Sequence, residues 1–185
     1  IGGTTLKDWN LIEYSEVDNV TTITLNRPAQ LNALNVELLE ELLLALKTAE
    51  SNSTTCLVLK GNGPSFCADV INSIVSTLYT MRKITIVALN GAAAGLGLSI
   101  ALACDIIIAK TSSKVAMNFV GIGLIPDGGG HFFLKNRLGE TRTKKIIWEG
   151  KVFTGQEASN LGLVDFVIGD EDDLEEAVQK QLKQL

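Results

Sequence analysis

Three glycine-bearing loops hold the residues whose types and spacing are suited to chemistry. The first, residues 61–68 (Gly-Asn-Gly-Pro-Ser-Phe-Cys-Ala), follows a strand pattern, and its glycines let backbone N–H groups come close to a ligand. Its composition is equally that of an ordinary surface turn. The second, residues 90–99 (Asn-Gly-Ala-Ala-Ala-Gly-Leu-Gly-Leu-Ser), runs from a strand into a helix, whose first turn carries unpaired N–H donors suited to an anion or a developing oxyanion. The third, residues 121–130, places one carboxylate, Asp127, between an apolar stretch and three glycines. Asp127 reads either as a cap for the helix that starts near Gly129 or as a proton-transfer base whose apolar flank raises its pKa.

Two other chemistries compete for these residues. A dinucleotide fingerprint around Gly95 and Gly97 needs an acidic residue about 20 positions further on, at the end of a second strand, and Asp105 does not supply it. A serine hydrolase is suggested by Gly97-Leu98-Ser99-Ile100-Ala101, which nearly matches Gly-x-Ser-x-Gly, with Asp127 and His131 following in α/β-hydrolase order. Against it, Ser99 lies ten residues past the end of its strand, Asp127 and His131 are too close to come from separate loops, and the last small residue is Ala. His131 is instead expected to pack on a helix beside Phe132 and Phe133.

The elements that must position these loops follow from periodicity and punctuation. Residues 11–14 and 20–25 are β-prone runs joined at Val17, Asp18 and Asn19 as a hairpin, ended by Arg27-Pro28. Apolar residues at 36, 39, 43 and 46, with Asn35 as N-cap and early glutamates, predict a helix over 36–50. Strands are expected at 56–59, 84–89, 105–109 and 163–168. Helices are expected at 70–81, 95–103, 131–137, 141–148 and 171–185, with a further helix begun by a Thr154/Glu157 capping box and stopped by Gly162. Alternating strand and helix predicts α/β layering. No internal sequence repeat or linker interrupts it.

Composition excludes several classes. In 185 residues, 46% are hydrophobic and 20% charged, which fits one compact domain and not a disordered chain. The net charge of −5, with no basic stripe, argues against nucleic-acid partners. Cys56, Cys67 and Cys104 are widely spaced with no Cys-x-x-Cys pair, so neither a disulfide framework nor a thiolate zinc site is expected, and a reducing compartment fits. The longest apolar run, 84–108, is broken by Asn90, glycines and Asp105 and reads as core, so no membrane span is expected. The first residue is Ile, with no signal-peptide pattern after it. Cytoplasmic placement is the default expectation.

Taken in order, the motifs resemble the crotonase superfamily, the enoyl-CoA hydratase/isomerase family. The resemblance covers nearly the whole chain: residues 20–25 followed by Arg27-Pro28 and the segment to 34, Gly63 to Ala68, Asn90-Gly91 to Gly97, Ala103-Cys104-Asp105, Leu124-Ile125-Pro126 with Gly129-Gly130, and residues 154–164. Each motif alone is weak, and the ordered set is specific. It implies an α/β, crotonase-like (ClpP/crotonase) spiral of ββα units spanning 1–185 as a single core domain. Its substrate would be an acyl-CoA thioester, with coenzyme A entering as part of the substrate and no separate cofactor or metal, and its assembly a homo-trimer or dimer of trimers.

The resemblance also assigns positions. Leu96, within Gly95-Leu96-Gly97, matches one of two backbone donors that hold the thioester oxygen as it becomes an enolate. The other lies just beyond Phe66-Cys67-Ala68, where this chain departs from its relatives by passing straight to Asp69-Val70. A loop after Ala68 and a helical tail after Leu185 are therefore expected beyond the sequence shown. Ala29 and Leu31 match positions lining the CoA adenine pocket, and Cys67 and Ala68 flank it. The two glutamates of hydratases fall on Ser99 and Phe119, neither of which transfers a proton as a carboxylate does, so water addition is disfavoured.

Asp127 matches the acidic position of one branch of enoyl-CoA isomerases and of epoxyphenylacetyl-CoA isomerases. Phe119, Leu124 and Ile125 are expected to give it apolar surroundings. The activity implied is an isomerase that shifts a 3-enoyl-CoA to a 2-enoyl-CoA. The alternatives are a hydratase that uses another acid and a non-catalytic acyl-CoA-binding homologue.

Overall fold

A computed structural model describes residues 9–33, 35–68 and 72–185. Strands β1 (Ile12–Val17) and β2 (Val20–Leu25) form the expected hairpin, with Asp18 and Asn19 both at positive φ in its two-residue turn. Helix α1 (Val36–Ser51) is capped by the Asn35 side chain, which accepts from Leu38 N. Its buried stripe differs from the expected one: Val36 is exposed and Leu38, Leu39, Leu42, Ala45, Leu46 and Ala49 face the core, a 3–4 spacing rotated from positions 36 and 43.

From β3 onward the chain repeats one unit. Strands β3 (Cys56–Gly61) and β4 (Ser65–Ala68) precede α2 (Asn72–Thr80), β5 (Ile84–Leu89) and β6 (Ala92–Ala94) precede α3 (Leu96–Leu102), and β7 (Ile106–Lys110) and β8 (Lys114–Ala116) precede α4 (Gly130–Leu138). Helix α5 (Glu140–Glu149), strand β9 (Val152–Thr154), α6 (Gly155–Leu161), β10 (Phe166–Ile168) and α7 (Leu174–Leu182) complete it. The first strand of each unit joins a six-stranded sheet in the order β1-β2-β3-β5-β7-β10, and the second joins a four-stranded sheet in the order β4-β6-β8-β9. Within the large sheet every pair except the β1–β2 hairpin is parallel. This is the expected spiral of ββα turns.

The main core lies between these layers. Along β3, Leu57 and Leu59 point inward to join α1, Phe66, Val87, Leu89 and Ile107, while Val58 points outward with Ile86, Ala88 and Ile108 to meet Val178 of α7. Both sheet faces are covered, which explains strands that read as continuous apolar runs.

Several boundaries differ from the sequence expectation. The three-residue strands β6, β8 and β9 were not predicted. They carry little local pattern and exist because they pair with one another and with β4. The last strand is shorter, 166–168, because Leu163 and Val164 turn into the core before it. The final helix begins only after Asp173, whose side chain accepts from Glu175 N. Val70 and Ile71, the start of the expected 70–81 helix, lie outside the described residues, as do Asp69, residues 1–8 and Leu34.

Candidate active site

Three parallel strands of the small sheet deliver the candidate residues to one edge. β4 pairs with β6 so that Ala68 lies beside Ala94, and β6 pairs with β8 so that Ala94 lies beside Ala116. The segments from Gly95 and from Met117 therefore leave the sheet side by side next to the end of β4, at the C-terminal ends of the strands, where α/β folds place ligands. Cys67 and Ala68 are strand residues here, and their backbone runs beside Ala93 and Ala94.

Gly95 makes the turn from β6 into α3. Its φ of 55° and ψ of −119° are open to glycine alone, and its N–H donates to Ala116 O at 2.9 Å. Leu96 is the first residue of α3, so its N–H has no acceptor within the helix. The Phe119 ring lies against Gly95, with Cζ 3.6 Å from where a Cβ would stand, and is buried. Ser99, one turn into α3, is fully buried and donates to the backbone carbonyl of Asp127 at 3.0 Å.

Asp127 stands on the loop that docks against α3. Its carbonyl also accepts from Gly130 N at 3.1 Å, and its carboxylate accepts from Gly128 N at 2.7 Å. Two expectations are corrected here. Asp127 does not cap α4: the N-cap is Gly129 and no side chain bonds there. Nor is Asp127 enclosed by apolar side chains: it is exposed, and Leu124 and Ile125 turn 58% and 84% of their surface to solvent, so only Phe119 of the three is buried. The loop closes on itself through Leu124 N to Phe119 O, which leaves its apolar tip pointing outward.

The hydrolase alternative fails on geometry. The Ser99 hydroxyl is committed to a backbone carbonyl, and His131 lies exposed on α4 instead of packing beside Phe132 and Phe133 as expected. Those two rings stack edge-on with Tyr79 at centroid distances of 5.3–5.6 Å.

The segment after β2 forms a second wall. Ala29 sits in a short 3-10 turn (Pro28–Gln30) and is exposed, and Leu31, at φ 53°, exposes 54% of its surface. What holds this segment is Asn32, which the sequence reading passed over. Fully buried and left-handed, it accepts from Arg27 N at 2.7 Å and donates to Asn62 O at 2.8 Å and Ser65 O at 2.7 Å. Asn90 donates to Gly63 O, and Gly91 packs so tightly that a Cβ would stand 1.8 Å from Pro64 O. The available signal was an Asn inside a Pro-flanked turn, a residue type that tolerates positive φ and bonds nearby backbone. A hollow of about 720 Å³ lies elsewhere, between α7 and the outer face of β1–β3, and contains none of these residues.

The comparisons with known proteins identify the family and the fold. The enoyl-CoA hydratase/isomerase family profile matches residues 15–70 and 69–185, in two segments that divide just after β4. YhaR of Bacillus subtilis, which carries the name enoyl-CoA hydratase/isomerase, is 42% identical over 174 residues, covering 83% of this chain and 68% of its own. The 1,2-epoxyphenylacetyl-CoA isomerase of Escherichia coli is 35% identical over 176 residues, covering 82% and 67%. The chain thus spans about two-thirds of these relatives' length. The crystal structure of an enoyl-CoA hydratase from Mycobacterium avium subsp. paratuberculosis superposes with a TM-score of 0.91 at 28% identity, covering 97% of this chain and 76% of that one. The spiral of paired strands, the glycine turn into α3 and these matches together place the chain in the enoyl-CoA hydratase/isomerase family, with the crotonase fold.

Proposed function

We propose that the protein is an acyl-CoA isomerase in which Asp127 is the single acid/base group and the Leu96 N–H is one donor of the oxyanion site. The thioester oxygen of a 3-enoyl-CoA lies at the start of α3, where the N–H without an acceptor in the helix and the positive helix end favour developing negative charge. Asp127 removes a proton from C2, and charge spreads into a dienolate. The protonated carboxyl then returns the proton at C4, which gives the 2-enoyl-CoA. The bound acyl chain supplies the apolar cover that the exposed carboxylate lacks in the free protein.

One observation carries this reading. Asp127 is the carboxylate on the loop that docks against α3, while Ser99 and Phe119, which the family resemblance matches to the hydratase acids, are a hydroxyl already bonded to Asp127 O and a buried phenyl ring. Neither can hold a water and share its proton as a pair of carboxylates does. Ala29, Leu31, Cys67 and Ala68, on the side reached from β2 and β4, are assigned to the CoA moiety.

The test is a paired assay on purified protein. Conversion of 3-enoyl-CoA to 2-enoyl-CoA is expected, with Asp127→Asn lowering kcat by about 100-fold or more, within the range for loss of a general base, while acyl-CoA binding is kept. Full turnover by Asp127→Asn removes the base assignment. Faster water addition to crotonyl-CoA than isomerisation makes the protein a hydratase, and CoA-thioester binding without turnover makes it a binding homologue.

A further inference from the structure

The loop bearing Asp127 and the helix bearing the Leu96 N–H are in direct contact, and Ser99 is the polar group between them. Ser99 is fully buried on α3, three residues beyond Leu96 and so on the same side of the helix. Its Oγ stands 3.0 Å from Asp127 O and 3.4 Å from Gly95 O. A hydroxyl has one proton, and the shorter, cross-loop acceptor is the better placed. The glycines on either side fit because they lack a Cβ: at Gly128 one would stand 2.5 Å from Leu96 Cδ2 and 3.3 Å from Ser99 Cβ, and at Gly130 one would stand 2.8 Å from Ser99 Oγ. Gly128 and Gly129 also hold positive φ, at 58° and 73°. The backbone on each side of Asp127 is therefore seated on α3, and among the described residues the side-chain hydrogen bond across that contact comes from Ser99.

We propose that Ser99 is a positioning residue, which fixes the separation between the Asp127 carboxylate and the Leu96 N–H by holding the Asp127 carbonyl on the first turn of α3. This rests on the isomerase reading above. A site in which one carboxylate must reach both C2 and C4 of a substrate whose oxygen is held at a fixed donor depends on that separation, and misplacement by about 1 Å is enough to cost about 100-fold in rate.

The experiment is steady-state kinetics with Ser99→Ala. The expected result is kcat lowered about tenfold, as a partial misplacement gives, with KM and the dissociation constant of a saturated acyl-CoA within about twofold. Should Ser99→Ala fail to fold, Gly130→Ala displaces the same contact from the loop side and is expected to give the same loss confined to kcat. Unchanged kcat, or equal losses in kcat and in binding that track a lower melting temperature, overturns the positioning role. Full activity of Asp127→Asn, measured beside it, instead identifies a failure of the isomerase reading.

Discussion

Asn32 shows how much of the candidate site depends on one amide. Its three hydrogen bonds join the segment after β2 to the first glycine loop, and no water reaches the side chain. Asn32→Ala leaves Arg27 N, Asn62 O and Ser65 O without this partner in a tightly packed place. Unsatisfied buried groups cost roughly 1–3 kcal/mol each, and partial relaxation makes about 3 kcal/mol the expected total. A urea titration checks the loss, and on the CoA assignment proposed for Ala29 and Leu31, which lose their anchor, isothermal titration with a CoA thioester is expected to show weaker binding. A stability change below about 0.5 kcal/mol contradicts this account. Asn32 and Ser99 share a property that explains why sequence reading undervalued both. Each reaches at least one backbone group 28–33 positions away, and neither residue type announces such a partner.

At the scale of elements, legibility followed locality. The β1–β2 hairpin, α1 with its Asn35 cap and α6 with its capping box are encoded by residues within a few positions of one another, and all three form as expected. Strands β6, β8 and β9 are defined only by pairing across tens of residues, and the small sheet they build was invisible. The site was legible in the same proportion: the glycine turn before Leu96 is local, whereas the exposure of Asp127 depends on how the 119–124 loop folds. The capping box of α6 offers an element-scale prediction. Thr154 Oγ1 accepts from Glu157 N at 3.1 Å and Glu157 accepts from Thr154 N at 2.8 Å, so Thr154→Ala is expected to cost about 1 kcal/mol. The bond from Thr154 N, helped by Lys151, holds the Glu157 carboxyl below its usual range. A carboxyl whose folded pKa is depressed stabilises the fold above its unfolded pKa, and that contribution is lost as pH falls through the folded value. The difference in melting temperature between the parent and Glu157→Gln is therefore expected to be constant near neutrality and to close below about pH 4. A difference that does not shrink at all as the pH is lowered assigns the effect to packing instead.

Across the whole molecule, the large sheet separates two apolar clusters of unequal size. The inner one runs from Ile12 to Val164 and takes in α1, α2, α3 and α4, while the outer one is centred on Val58, Ile86, Ala88, Ile108 and Val178 beneath α7. Helix α7 adds one ion pair to that small cluster, Lys60 to Glu175 at 2.5 Å, both partly exposed and so worth little. Opening free energies follow buried apolar contact, so α7 should lift from the sheet well below the cost of global unfolding. Two thiols report on the two levels. Cys56 lies on the outward side of β3, in register with Val58, and lines the hollow beside Gln179. Cys104 lies in the inner cluster, where burial, with Asp105 adding to it, pushes its thiol up to about 12. With Cys67 replaced by serine, a thiol reagent at pH 8 is expected to label Cys56 at a rate nearly independent of low denaturant and Cys104 only with the full denaturant dependence of unfolding. Val178→Ala should then speed Cys56 labelling relative to Cys104. Mass spectrometry of the two peptides decides it: equal rates and equal denaturant slopes mean that α7 and the inner core open together, and the sheet does not divide the molecule into levels of stability.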